Sequence, residues 1–217
     1  MPFITFEGID QSGKSTQLEL LSKAVAESGL SVLATREPGG TKLGDQIRAI
    51  LLGFDHAGMD PWSEALLYAA ARAQLVREVI EPAIAAGTIV LSDRYIDSSL
   101  AYQGIARGLG IEKVMEMNMW ATRGLMPDIT FVLHLDVDIS RERLQSRTTG
   151  KDRIESEPLE FHHRVEEGYR KLESMYPDRI VGISGRDSVA EVHSQIVAAC
   201  RDRIGWDIRE TDSGQAV

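Results

Sequence analysis

One cysteine, Cys200, stands in the 217 residues, so no disulfide can form within the chain. It falls in an apolar helical pattern with Ile196, Val197, Ala199 and Ile204, where it reads as small core filler. Positive charge is also in short supply, with a formal net charge of −9. That balance speaks against a general nucleic-acid or membrane-surface role, although a local arginine cluster can still hold an anion. No window of 18 uncharged apolar residues exists, so no transmembrane helix is expected. The apolar start Met1–Phe6 is too short for a signal peptide and runs into Glu7 and Asp10. A reducing, cytoplasmic compartment is the default expectation. Internal repeats and low-complexity segments are missing as well.

What is there is ordinary globular composition and a regular alternation of patterns. The length suits one well-cored domain with at most a lid. Short apolar runs predict strands at Ile4–Glu7, Ser31–Thr35, Thr88–Leu91, Thr130–Leu135 and Ile180–Ile183. Helical periodicity predicts helices at Lys14–Ser28, Thr41–Leu52, Pro61–Ala86, Ile111–Thr122, Ile139–Arg147, Leu159–Met175 and Val189–Ile204. Alternating strands and helices give an α/β fold, with a five-stranded parallel sheet covered by helices on both faces. Such a three-layer sandwich places ligands at the carboxyl ends of its strands. Residues 1–206 read as one domain, with a polar, glycine-containing lid at about 147–156 and a frayed tail at 207–217. The helix Ile111–Thr122 is apolar nearly all round. It is either buried in the core or shared between the core and a partner subunit.

The most informative run is Gly8-Ile9-Asp10-Gln11-Ser12-Gly13-Lys14-Ser15 with Thr16 behind it, which fills the phosphate-loop pattern. It lies between a strand and a helix start. Backbone N–H groups and the helix dipole can there hold a polyphosphate. Lys14 would reach the outer phosphates, and the Ser15 hydroxyl would be a Mg²⁺ ligand. Such a loop by itself says only that a nucleoside triphosphate is bound.

Other strand ends carry the discrimination. The second strand runs into Arg36-Glu37-Pro38-Gly39-Gly40-Thr41, a tight turn with a helix cap that also sets Arg36 and Glu37 at a carboxyl edge. The third runs into Asp93-Arg94-Tyr95. Asp93 is placed to hold Mg²⁺ and its waters and Arg94 to grip a phosphate, or the two simply pair where the strand ends. Tyr68 and Arg72 share one helix face, fit to stack a base and bind its phosphate, or to be ordinary core. Ser98, Ser99, Tyr102 and Gln103 follow on a short helical segment. The Gln103 amide matches a nucleobase edge, or belongs to a polar helix face.

Together, Gly8–Thr16, Arg36–Gly40, Tyr68–Gln74, Asp93–Tyr95 with Ser98–Gly104, and Asp152-Arg153-Ile154-Glu155 resemble the bacterial-type thymidylate kinases of the P-loop nucleoside monophosphate kinase superfamily. The resemblance spans roughly residues 3 to 204. It implies transfer of the γ-phosphoryl of ATP to dTMP with Mg²⁺ in dTTP biosynthesis, and a homodimer. By position, the loop Gly8–Thr16 would hold ATP, and Asp10 would contact the acceptor sugar. Glu37 and Pro38 would shape the acceptor site. Tyr68 would stack on thymine, Arg72 and Gln103 would read it with Ser99 nearby, and Tyr102 would crowd the sugar 2′ position. Arg94 and Arg48 would take the acceptor phosphate. Eukaryotic-type members carry an arginine where Gln11 stands here. The cation must then come from the lid, from Arg147, Lys151 or Arg153, and the resemblance makes a lid arginine essential. Arg153 lies in the matching segment, whereas Arg147 is equally placed to stack on adenine. One such cation is worth about 10³-fold in rate, or about 4 kcal/mol.

Rival classes lack their marks. A GTP switch needs Asn-Lys-x-Asp and a strand-end Asp-x-x-Gly; no Asn-Lys-x-Asp occurs, and Asp93 is followed by Arg94, Tyr95 and Ile96. A motor or assembly ATPase needs a Walker-B acidic pair and an interaction domain. A kinase for another nucleotide or a deoxynucleoside is separated only by its acceptor.

Overall fold

Five short apolar segments become the strands β1 (Phe3–Glu7), β2 (Val32–Arg36), β3 (Ile89–Asp93), β4 (Ile129–His134) and β5 (Ile180–Ser184). The computed structural model describes residues 1–145 and 150–206. All strand pairs are parallel, in the order β2-β3-β1-β4-β5. β1 lies at the centre and is buried along its whole length. Its side chains alternate, so Ile4 and Phe6 enter one core and Phe3 the other. From β3 the chain crosses to the far side of β1 to form β4. The carboxyl ends of β1 and β3, where the connections diverge, form the crevice that such sheets use for ligands.

One face of the sheet is covered by α1 (Lys14–Glu27) and α9 (Val189–Ile204), around Leu21, Ile196, Val197 and the buried Cys200. Burial pushes the Cys200 thiol up to about 12, so it stays protonated and inert. The other face carries the larger core. It receives α3 (Pro61–Leu75), α4 (Glu81–Ala85), α5 (Ile96–Ser99), α6 (Ile111–Thr122) and α8 (Leu159–Met175). The helices α2 (Lys42–Leu52) and α7 (Val137–Gln145) flank the crevice. The expected strand and helix alternation is therefore present in full, with helices on both faces.

Local chemistry sets the boundaries. Thr41 caps α2 by accepting from Gly44 N at 2.9 Å, and Asp60 caps α3 ahead of Pro61. Ser188 and Glu191 form a reciprocal capping box on α9. The long helix expected over residues 61–86 is one continuous run, but Val76–Ile80 is a widened turn between α3 and α4. Pro82 has no N–H to give, and its ring crowds the carbonyl four residues back, so the helix widens ahead of it. A second widened turn, Leu100–Ala106, continues α5.

The seventh helix differs from the expected Ile139–Arg147 in starting at Val137. Arg147 falls outside the described residues, as do the other expectations on residues 147–149 and the tail 207–217. The lid stretch read as a loop is pinned at its C-terminal end. Arg153 and Ile154 are buried, and Asp152 and Glu155 each accept from the other's backbone N–H at 2.9 Å. α6 is not buried all round. Ile111, Val114, Asn118 and Thr122 face inward, while Trp120 is 80% exposed.

Candidate active site

The loop after β1 closes on itself around an ammonium. Gly8 has φ +131, and a Cβ there would stand 2.5 Å from the Leu133 carbonyl oxygen, so only glycine passes under β4. Gly13, at φ +100, turns the chain into α1. Gln11, at φ +60, is one of three non-glycine residues with positive φ among those described. Lys14 Nζ donates to the carbonyls of Ile9 at 2.8 Å and Gly8 at 3.2 Å. Burial, with Arg94 next in weight, pushes the Lys14 pKa down to about 8. The loop lines an open cavity with Gln17, Leu133, Arg143, Gly185 and Asp187. Arg143 was not singled out from the sequence, yet its Nη1 donates to the Gln11 carbonyl at 3.0 Å. Its only sequence signal was a basic residue on the helix ahead of the lid.

Beside the loop, Ser15 Oγ donates to Asp93 Oδ2 at 2.7 Å. No group of three or more His, Cys, Asp or Glu residues able to hold a metal exists among the described residues. A hydroxyl and one carboxylate at the mouth of a phosphate cup fit Mg²⁺, a hard ion that keeps waters and takes phosphate oxygens. The Ser15–Asp93 pair is thus the chain's fit to that ion.

A second pocket opens across the end of β1. Its lining includes Asp10, Pro38, Arg48, Tyr68, Ser99, Tyr102 and Gln103. Arg94 stands in this lining and reaches back to the phosphate loop. Its Nη2 donates to Asp10 Oδ1 at 2.7 Å and its Nη1 to the Gly8 carbonyl at 2.9 Å. Its guanidinium also lies 5.3 Å from the Tyr102 ring centre. Its φ of +74 is a strained backbone, held by Arg94 N donating to Phe6 O at 2.9 Å. Burial works against charge on Asp10, but Arg94 and then Lys14 hold its carboxyl below the usual range. Arg48 donates to the Pro38 carbonyl at 3.0 Å. The Tyr102 hydroxyl and Glu37 Oε1 are buried and have no protein partner, and both residues line this pocket. Polar atoms left so are ready for a ligand.

Three residues sit differently from their sequence expectation. Arg72 is 1% exposed and lies below the pocket lining. Every guanidinium nitrogen is engaged: Nε with Glu37 at 2.7 Å, Nη1 with Ser99 at 2.9 Å and with Asn118, and Nη2 with the Tyr95 carbonyl at 2.9 Å. Arg153 is buried too, donating to Leu51 O at 2.7 Å and to Glu64 Oε2 at 2.8 Å. Glu37 turns toward Arg72 as much as toward the pocket, and burial pushes its pKa up to about 7 despite that arginine.

Sequence reasoning missed the buried carboxylates that hold this wall. Glu7 on β1 accepts from Tyr95 N at 2.7 Å, Ser98 N at 3.1 Å and Tyr169 OH at 2.9 Å. Burial pushes its pKa up, with Asp97 adding to the effect. A charge in an otherwise apolar central strand was the available signal. Glu64 had no such signal, since helix residues of its type are mostly solvated.

A phosphate loop, a hydroxyl–carboxylate pair beside it, and a second pocket whose lining arginine reaches back to the loop are the arrangement of a P-loop phosphotransferase. The thymidylate kinase family model matches residues 6–196. A curated thymidylate kinase of Halalkalibacterium halodurans is 44% identical over 203 residues, 93% of this chain and 97% of that one. One from Caldanaerobacter subterraneus is 48% identical over 202 residues, 92% of this chain and 95% of that one. The crystal structure of thymidylate kinase from Ehrlichia chaffeensis superposes with a TM-score of 0.73 at 33% identity, covering 91% of this chain and 97% of the other. The chain belongs to the thymidylate kinase family.

Proposed function

We propose that the chain transfers the γ-phosphoryl of ATP to dTMP, giving ADP and dTDP on the route to dTTP. One observation supports this above the others: Arg94, in the lining of the second pocket, reaches back to the phosphate loop through the Gly8 carbonyl and the Asp10 carboxylate. ATP lies along Gly8–Thr16, with Lys14 and the loop N–H groups on its phosphates. dTMP lies in the second pocket, its base against Tyr68 and Gln103 and its sugar near Asp10 and Tyr102. Its phosphate takes Arg94 and Arg48. Arg72 supports Glu37 and Ser99 from beneath. An acceptor phosphate oxygen bonds to the γ-phosphorus as the bond to the β–γ bridging oxygen breaks, and ADP leaves. No general base is needed, since the acceptor is already an anion. The chain positions two anions in line and supplies cations. Ser15 and Asp93 would hold Mg²⁺, which would supply charge neutralisation on the donor phosphates.

The acceptor assay tests this reading. With ATP as donor, dTMP is expected to give the highest kcat/KM among dTMP, dUMP, CMP, AMP and thymidine. A preference for CMP, AMP or thymidine overturns it. Run on Arg147→Ala and Arg153→Ala, the same assay is expected to show kcat falling more than the KM for dTMP rises. Near wild-type values in both remove the lid arginine from the mechanism.

The pair of chains is a further part of the proposal. Among the described residues, α2, α3 and α6 lie side by side and expose Leu43, Leu66 and Trp120. Exposed apolar side chains on neighbouring helices suit a second copy. Sedimentation is expected to give twice the chain mass, with Trp120→Glu shifting it toward monomer; a monomer at micromolar wild-type protein refutes it. No helix among the described residues is long and apolar enough to cross a membrane. The lone, buried cysteine fits a reducing compartment, and we place the activity in the cytoplasm.

A further inference from the structure

Glu64 lies on α3 beneath the acceptor pocket and is 1% exposed. Four donors converge on it. Oε1 accepts from Gln103 Nε2 at 3.0 Å and Arg107 Nε at 3.1 Å. Oε2 accepts from Arg107 Nη2 at 3.0 Å and Arg153 Nη2 at 2.8 Å. Arg107 is itself fixed, by Glu157 at 2.6 Å and by the Phe161 ring, whose centre lies 4.4 Å from its guanidinium. Glu64 is therefore held from two sides and has no room to swing.

Gln103 is 2% exposed and lines the pocket. A side-chain amide has one donating and one accepting end, and either can face a ligand. An ionised carboxylate only accepts. Burial works against the charge on Glu64, but hydrogen bonds from Arg107, then Gln103 and Arg153, hold its carboxyl below the usual range. The amide nitrogen must therefore face Glu64, and the amide oxygen is what remains for the pocket.

We propose that Glu64 is a positioning residue that sets base selectivity: by fixing the Gln103 amide with its oxygen toward the pocket, it admits bases that present a ring N–H and rejects bases that present a ring nitrogen lone pair. The inference rests on the dTMP reading above. Thymine offers a ring N–H between two carbonyls. Cytosine offers a lone pair at the same place, which would meet the lone pairs of the amide oxygen. Because Arg153 shares Oε2, the lid segment is tied to the same carboxylate that orients the base reader.

The test measures kcat/KM for dTMP and for dCMP, with ATP, on wild type, Glu64→Gln, Glu64→Asp and Gln103→Ala. A neutral amide at position 64 can donate or accept, so the Gln103 amide is free to flip. The dTMP/dCMP ratio is expected to fall about tenfold or more in Glu64→Gln and in Gln103→Ala, and to fall less in Glu64→Asp, which keeps the charge. Both acceptors are read on one preparation, so loss of folded protein cancels in the ratio. A Glu64→Gln variant that slows both acceptors equally, while Gln103→Ala loses the preference, overturns the role of Glu64 and leaves the dTMP reading standing. A Gln103→Ala variant that keeps the preference overturns base reading through the amide, and with it this role. A wild type that does not prefer dTMP overturns the dTMP reading itself.

Discussion

Lys14→Met lowers kcat by about 10³-fold or more, while the melting temperature at pH 7 stays level or rises. The activity loss follows from the site. Lys14 is the cation inside the phosphate loop, and Gln11 brings none. The stability result follows from burial. The Lys14 pKa falls from 10.5 to about 8 in the folded chain. Between those values the unfolded chain binds more protons than the folded one, so this group makes stability rise with pH from about 8 to 10.5. Below pH 8 the amine is charged in both states, and the folded state carries the full desolvation cost. The net cost of the charge there, burial and Arg94 set against the nearby carboxylates, is on the order of 3 kcal/mol. Removing the charge removes the cost. The checks are steady-state kinetics and thermal melts from pH 7 to 10. A melting temperature that drops by several degrees at pH 7, with turnover retained, would show Lys14 to be a structural pin.

Arg72→Met is expected to unfold the protein readily. Losing one partner of a buried ion pair costs about 3–5 kcal/mol, or roughly 10 °C in melting temperature for a chain of this size. Met fills much of the volume but leaves the Glu37 carboxylate and the Asn118 amide oxygen facing an apolar thioether. The double variant Arg72→Met/Glu37→Gln should recover part of the loss, because no unpaired charge then remains. The family resemblance assigns Arg72 to the pyrimidine. The two roles separate in the data. A residue that only reads a base leaves the melt unchanged and alters kcat/KM among acceptors, whereas a strut moves the melt first. An Arg72→Met protein with wild-type melting would sink the strut.

Much of the fold was legible because it is written locally. Period and turn chemistry marked five strands and the cap Thr41. The phosphate loop was legible because its function lies in eight consecutive residues, where glycines, a lysine and a hydroxyl must be neighbours. The grouping of the second pocket's residues was legible only through family resemblance. Its walls come from Glu37, Tyr68, Arg94 and Gln103, which no local pattern links.

Buried partners were the least legible. Glu64 meets Gln103 across 39 positions and Arg153 across 89. Arg72 reaches Asn118 across 46. A glutamate on a helix reads as a solvated face until the chain folds over it. Arg153, in a polar stretch, reads as a lid cation until Leu51 and Glu64 are placed beside it. α6 was open between core and partner because the apolar fraction does not say which side faces the sheet.

By itself the sequence determined the α/β architecture, the triphosphate cup and its ammonium, since spacing along one chain suffices for strands, caps and a loop that binds with its own backbone. Tertiary structure alone decided which charges are spent on each other and which are left for a ligand. The physical reason is burial: a charged group removed from water must find its partner wherever the fold brings one, and that distance in sequence carries no periodic trace.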